Sequence, residues 1–129
     1  MNLGDFAYVA DTQKSFDDAV VSVLREVEKK GWAVFNVIDI SERLAAKGFN
    51  QGPIKLIEIC NGKHANNFLS KDRYISLFMP CRINVMEEDG KVKIGSMRPA
   101  VMSQFFSKVE QDEAITVERD VIEIIDNSK

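Results

Sequence analysis

The sequence predicts an α+β fold, a two-layer sandwich in which a mixed β-sheet has helices packed mainly on one face. Two observations lead to this prediction. Stretches with helical three- and four-residue spacing alternate with short runs of β-branched and aromatic residues. In addition, the acidic turn at 87–90 separates two strand-like stretches, which predicts at least one antiparallel hairpin. A chain of 129 residues fits one domain, so we expect a single domain over 1–129.

The first half of the chain predicts two strands and two helices. A strand is expected at 5–10, and a helix follows because apolar residues recur on one helical face. These residues are Phe16, Ala19, Val20, Val23, Leu24 and Val27. Ser15 with Asp18 resembles a capping box, and Gly31 after two lysines is typical of a helix end. The β-forming residues at 32–38 predict a second strand, and a short helix is expected at 42–47.

The second half predicts further strands and helices in alternation. A strand at 54–59 precedes a helix that starts after Asn61 and runs to about Ser70. One long strand, or two joined at Pro80, is expected at 74–79 and 82–86, with a returning strand at 91–96. Arg98–Pro99 opens a helix, and apolar spacing at 112–125 predicts another, so that 99–127 is a C-terminal helical extension.

Composition excludes several classes of function. The net charge is −3 and the basic residues are scattered, so we expect no nucleic-acid partner. No apolar run is long enough to cross a bilayer, so we expect no membrane partner. The start of the chain lacks a secretory pattern, and two cysteines without one indicate free thiols in a reducing compartment. The expected location is therefore cytoplasmic.

The candidate site begins at the junction of a strand and a helix. Cys60 lies there, in the segment Cys60–Asn61–Gly62–Lys63–His64. The amides at a helix start favour anions, and they favour the thiolate form of a cysteine held beside them. Lys63 and His64 add positive charge, and Gly62 permits close approach of a ligand to the backbone. This segment is a candidate ligand or thiol site.

Cys81 follows the next predicted strand, in Pro80–Cys81–Arg82. If the two strands are parallel neighbours joined by a right-handed crossover, both cysteines lie at the same sheet edge. Ligands bind at that edge in open α/β sheets. Two thiols there would permit a dithiol couple or a soft-metal pair.

Simpler interpretations of the same residues remain open. Free cysteine is often an inert core residue, and no Cys-x-x-Cys or zinc-type double pair is present. His64 is the only histidine, and its spacing from Cys60 is a weak metal signal. We therefore assign no metal ligand, no catalytic residue and no cofactor. The apolar stripe Met97, Met102, Phe105 and Phe106 indicates core or dimer packing.

Several motifs together resemble domain-of-unknown-function family 302 over about residues 15–102. The matching motifs are Ser15–Phe16, Gly31–Trp32, Gly52–Pro53–Ile54, Ile57–Glu58–Ile59–Cys60–Asn61, Ala65, Pro80–Cys81 and Met97–Arg98–Pro99. The resemblance implies a two-layer α+β protein that associates as a dimer and has no assigned activity. The family pattern usually has proline after Cys-Asn, whereas this chain has Gly62, which makes the helix start less rigid.

Three functions are compatible with the sequence. The preferred one is a non-enzymatic dimeric module that binds a small molecule, an anion, a metal or a partner at the Cys60 edge. The alternative is a thiol-based redox protein or sulfur carrier, in which Cys60 reacts and Cys81 resolves. In the third, both cysteines are purely structural.

Overall fold

The fold consists of a five-stranded β-sheet, four α-helices and three short 3₁₀ helices. We describe it from a computed structural model that covers residues 1–129. The strands are β1 (Ala7–Thr12), β2 (Ala33–Asp39), β3 (Ile54–Cys60), β4 (Cys81–Glu88) and β5 (Lys91–Met97). The α-helices are α1 (Phe16–Lys29), α2 (Ile40–Ala45), α3 (Gly62–Lys71) and α4 (Gln111–Ser128). The 3₁₀ helices are Leu3–Asp5, Arg73–Phe78 and Pro99–Gln104.

The sheet is antiparallel throughout. Its strand order is β1-β5-β4-β3-β2, and each neighbouring pair runs in opposite directions. The α+β class is confirmed, but the prediction of a mixed sheet is wrong. A parallel β3–β4 pair would need a crossover that carries the chain to the opposite end of the sheet. Instead, α3 and the 3₁₀ helix Arg73–Phe78 return the chain to the end at which β3 finished.

One face of the sheet is covered by α1 and α4, which also pack against each other. The strands contribute a set of buried aliphatic side chains to this layer: Ile57, Ile59, Ile83, Val85, Val92 and Ile94. The two helices contribute Ala19, Val20, Val23, Val27, Ala114, Val117, Val121, Ile124 and Ile125. Burial of this apolar surface is the main stabilising contribution to the fold.

Local signals in the sequence fix several element ends as predicted. The Ser15 side chain accepts a hydrogen bond from the Asp18 amide at 3.1 Å, which caps α1. Gly31 follows α1 with a φ of 82°, a conformation that favours glycine. The β4–β5 turn places Asp89 and Gly90 at φ values of 53° and 75°, the pattern of a type I′ hairpin.

Two predicted elements differ in the structure. The strand expected at 74–79 is instead the 3₁₀ helix Arg73–Phe78, in which Ile75 is the buried residue. The Asp72 side chain accepts a hydrogen bond from the Tyr74 amide, and this cap favours a helical turn over an extended strand. The helix expected after Arg98 is also 3₁₀ rather than α-helical, over Pro99–Gln104.

The opposite face of the sheet, called here the uncovered face, remains partly open. Cross-strand register aligns one residue from each strand in a row across this face: Val9, Gly95, Asn84, Leu56 and Ile38. Unlike Ile57 and Ile59 on the helix-covered side, Leu56 is only half-buried and Val9 is exposed.

No helix of the molecule is both long and apolar enough to cross a membrane.

Adjacent residues of β3 test this difference between the faces. Ile57→Ala removes methyl groups from the helix-covered core, and we expect it to lower the free energy of unfolding by about 2–5 kcal/mol. Leu56→Ala, on the uncovered face, should cost less than about half of that, because its side chain is already partly hydrated. Urea unfolding of the two variants measures both values; equal losses would contradict one-sided coverage.

Candidate functional site

The antiparallel pairing of β3 with β4 brings the two cysteines to the same end of the sheet, where β3 stops and β4 starts. Cys60 is the last residue of β3, Cys81 is the first of β4, and Cys81 pairs directly with Ile59. From the sequence we expected this proximity to result from parallel strands. The proximity is present but has a different cause, because an antiparallel pair places the end of one strand beside the start of the next. Both thiols are free and half-buried.

Burial keeps both thiols in the protonated form. It raises the pKa of Cys60 above the ordinary value. It also raises the pKa of Cys81 to about 11, with a smaller contribution from the nearby Cys60. At neutral pH the Cys81 side chain is therefore a neutral thiol. The start of α3 was expected to favour thiolate, but burial raises the pKa of Cys60, which is the opposite direction.

A small cavity of about 40 Å³, called here the thiol cavity, lies beside the two cysteines. Its polar lining consists of the thiols, Asn61 and His64. Its apolar lining is Trp32, Ile59, Ala65, Phe68, Phe78, Met79, Pro80, Met102 and Val117. This volume accommodates one or a few water molecules, but organic ligands occupy pockets of roughly 300 Å³ or more. The thiol cavity by itself is too small for a substrate.

Two of the predicted site residues at the start of α3 have structural contacts. The Asn61 side chain accepts a hydrogen bond from the His64 amide at 3.1 Å, so it caps the helix. His64 Nε2 lies 3.8 Å from Asp120 Oδ2 on α4. Trp32 Nε1 donates to the same carboxylate at 3.1 Å. His64 and Trp32 therefore connect the Cys60 edge to α4.

The other residues of the segment face solvent. Gly62 and Lys63 are exposed, and a Cβ atom added at Gly62 would meet no atom within 4 Å. No three side chains of His, Cys, Asp or Glu are grouped so as to hold a metal ion. Within the segment Cys60–His64, Asn61 and His64 therefore make contacts inside the protein, whereas Gly62 and Lys63 face solvent. These residues do not point to one common site.

A much larger concavity, called here the groove, lies on the uncovered face. Its volume is about 390 Å³, and apolar side chains form most of its wall. Its floor comes from four strands: Ala7, Val9, Leu56, Asn84, Met86, Gly95 and Met97. Its rim includes Leu3, Phe78, Pro99 and Val101. A Cβ atom at Gly95 would lie 3.0 Å from Val9 Cγ2 and 3.3 Å from Tyr8 O, so glycine permits this close packing of β5 against β1.

The groove and the thiol cavity share a wall. Phe78, Pro80, Cys81 and Met102 line both of them. Cys81 therefore belongs to the groove as a half-buried, protonated thiol, whereas Cys60 and Asn61 line only the thiol cavity. Of the predicted site residues, Cys81 is the one that lines the groove.

Two arginines and no carboxylate line the groove. Arg98 is already neutralised, because its guanidinium donates to both carboxylate oxygens of Glu118 at 3.1 and 3.2 Å. Glu118 also accepts a hydrogen bond from the Ala100 amide. Arg82 is exposed and has no carboxylate within 4.0 Å. The groove therefore carries one unneutralised positive charge.

Sequence reasoning missed the groove, although one signal for it was present. β3 has aliphatic residues on both faces, with Ile54 and Leu56 alternating with Ile57 and Ile59. A strand with one solvated face normally alternates apolar with polar residues. Apolar residues on both faces of a sheet that has only one helical layer indicate a second apolar surface.

The matching family model is the domain of unknown function DUF302, and the match covers residues 8–128. The chain belongs to the DUF302 family. The match extends beyond the 15–102 region in which the motifs are found, and it includes α4. The region that matches DUF302 therefore includes α1 and α4, the two helices that cover the sheet.

A solved structure shows the same fold. The crystal structure of an uncharacterised conserved DUF302 protein from Bacillus stearothermophilus aligns with a TM-score of 0.89 at 22% sequence identity. The alignment covers 96% of this chain and 98% of that chain. At this identity the likeness establishes the DUF302 fold and no shared activity. No curated protein matches the sequence.

The protonation of the thiols can be measured by alkylation with iodoacetamide across a range of pH. In Cys81→Ser the remaining Cys60 should reach half its maximal rate above pH 9.0, the ordinary value. In Cys60→Ser the remaining Cys81 should react more slowly at every pH, because it is more deeply desolvated. A thiol that titrates below about pH 7 would contradict this account and support thiolate chemistry.

Proposed function

We propose that this DUF302 protein is a non-enzymatic binding module and that a small, mainly apolar molecule occupies the groove beside the Cys60–Cys81 edge. The supporting observation is the 390 Å³ apolar groove on a sheet face that α1 and α4 leave open. Its volume falls within the range of small-molecule sites, and mostly apolar walls with a few polar groups are typical of them. Transfer of hydrocarbon from water to such a surface supplies the binding free energy.

The protonated thiols support binding over covalent chemistry. A thiol attacks as thiolate, and burial disfavours that form at both cysteines. In the proposed function Cys81 is part of the groove wall, where it behaves as a small, weakly polar side chain. The adjacency of the two sulfur-bearing residues favours a dithiol couple as the second candidate function, and the alkylation profile distinguishes the two.

Binding of straight-chain alcohols tests the groove without involving charge. We expect decanol to bind, and each methylene removed should weaken binding by about 0.8 kcal/mol, or roughly fourfold. Leu56→Asn places a polar amide of similar shape in the floor and should weaken decanol binding about tenfold. Leu77→Asn is the matched control, since Leu77 is exposed at 78% and does not line the groove. Isothermal titration calorimetry measures all three affinities.

The outcomes of this experiment separate the possible occupants of the face. Absence of alcohol binding, or equal effects of Leu56→Asn and Leu77→Asn, would contradict a ligand in the groove. If Leu56→Asn instead converts an oligomer to a monomer, a second copy of the chain occupies the uncovered face.

We also propose that the protein forms a homodimer through the edge strand β2. This strand ends the sheet, and a bulge between Val34 and Asn36 interrupts its pairing with β3. Phe35 and Val37 on this strand are 63% and 39% exposed. An aromatic and a β-branched side chain exposed on an unpaired sheet edge form a surface that a second chain can cover. A dimer at this edge leaves the groove open to a ligand.

Sedimentation equilibrium tests the dimer. We expect the wild type to be dimeric at micromolar concentration, and Phe35→Glu should weaken association at least tenfold, because a charge would be buried in the interface. Phe49→Glu is the control, since Phe49 is similarly exposed, at 61%, in the loop before β3. A monomeric wild type, or equal effects of both substitutions, would rule out the β2 interface.

A further inference from the structure

We propose that the ligand of the groove is an amphipathic monoanion, a carboxylate with a hydrocarbon tail, and that Arg82 binds its carboxylate. This inference rests on the proposed binding function and specifies the chemical class of the ligand. Four observations carry it: the charges that line the groove, the position of Arg82, the mostly apolar row of residues beside it and the number of free cations.

The charge of the groove differs in sign from that of the whole chain. The protein has a net charge of −3, yet the groove lining contains two arginines and no Asp or Glu. Glu118 neutralises Arg98 through two hydrogen bonds and also fixes the 3₁₀ helix that follows β5. Arg82 has no such partner. The groove is therefore complementary to an anion.

Arg82 is positioned beside the apolar floor. It lies two residues from Asn84 on β4, so both side chains project from the uncovered face. Asn84 belongs to the row that also contains Leu56, Gly95 and Val9. A ligand with its carboxylate at Arg82 can lay its tail along this row. The Asn84 amide supplies a second donor near the carboxylate.

The acidic residue opposite Arg82 on β3 forms no ion pair with it. Glu58 is its cross-strand partner on β3, but it does not line the groove. The ion pairs of the protein, defined by a nitrogen-to-oxygen distance of at most 4.0 Å, do not include Glu58 with Arg82. The guanidinium thus remains available to a ligand.

The number of free cations favours a carboxylate over a phosphate. A planar guanidinium matches a carboxylate with two parallel hydrogen bonds. One guanidinium balances one negative charge, whereas a phosphate monoester carries nearly two at neutral pH. Since Arg98 is committed to Glu118, no second cation is available at the groove. A single carboxylate is the anion that this lining satisfies.

Comparison of decanoate with decanol tests the assignment. Decanoate is titrated below its micellar concentration and decanol below its solubility limit, each into the wild type, Arg82→Gln and the control Arg119→Gln. Arg119 is exposed on α4 and does not line the groove. We expect Arg82→Gln to weaken decanoate binding about three- to tenfold and to change decanol binding less than about twofold. Added salt should weaken decanoate binding to the wild type and leave decanol binding unchanged.

The possible results distinguish failure of this inference from failure of the proposed function. Binding of decanol and decanoate with equal affinity, or equal effects of the two arginine substitutions, would overturn the carboxylate assignment while the groove remains a binding site. If neither compound binds, both proposals fail. Capture by anionic phospholipid vesicles without decanoate binding would overturn the assignment to a free carboxylate in favour of a membrane lipid headgroup.

Discussion

Unequal coverage of the two faces of one β-sheet determines the rest of this structure. Two helices supply a single layer, and α1 and α4 both use their apolar surface on the same face. Strand side chains alternate between faces, so every buried isoleucine of β3 has a neighbour that projects the other way. Leu56 on β3 and Val9 on β1 both project to the uncovered face, and mostly apolar side chains form the floor of the groove there.

Two effects with opposite expected directions act on Cys60, which lies between the end of β3 and the start of α3. The start of α3 favours thiolate at Cys60, whereas burial among Trp32, Phe68 and Phe78 favours the neutral thiol. Burial raises the pKa of both thiols. The position of Cys60 beside a helix start therefore does not make it a thiolate in this fold.

The features that were predictable from sequence are those fixed by local physics. Helical spacing, the Ser15 and Asn61 caps and the turn at Asp89–Gly90 each depend on a few adjacent residues, and each was predicted. The direction of the β3–β4 pairing was not, because it depends on the path of twenty intervening residues, 61–80. The groove was also missed, since it combines residues of four strands and several 3₁₀ segments. Pairing of Arg98 with Glu118, which leaves Arg82 as the free cation, depends on a contact between residues twenty positions apart.

The central prediction is that a ligand lies on the uncovered face of the sheet. A crystal structure of the protein with a terminally brominated decanoate measures this most directly, because anomalous scattering locates the bromine independently of any model. The account predicts a bromine peak over the row of Val9, Gly95 and Leu56, with the carboxylate in contact with Arg82. A peak outside the groove, or a second copy of the chain packed over the uncovered face in its place, would contradict it.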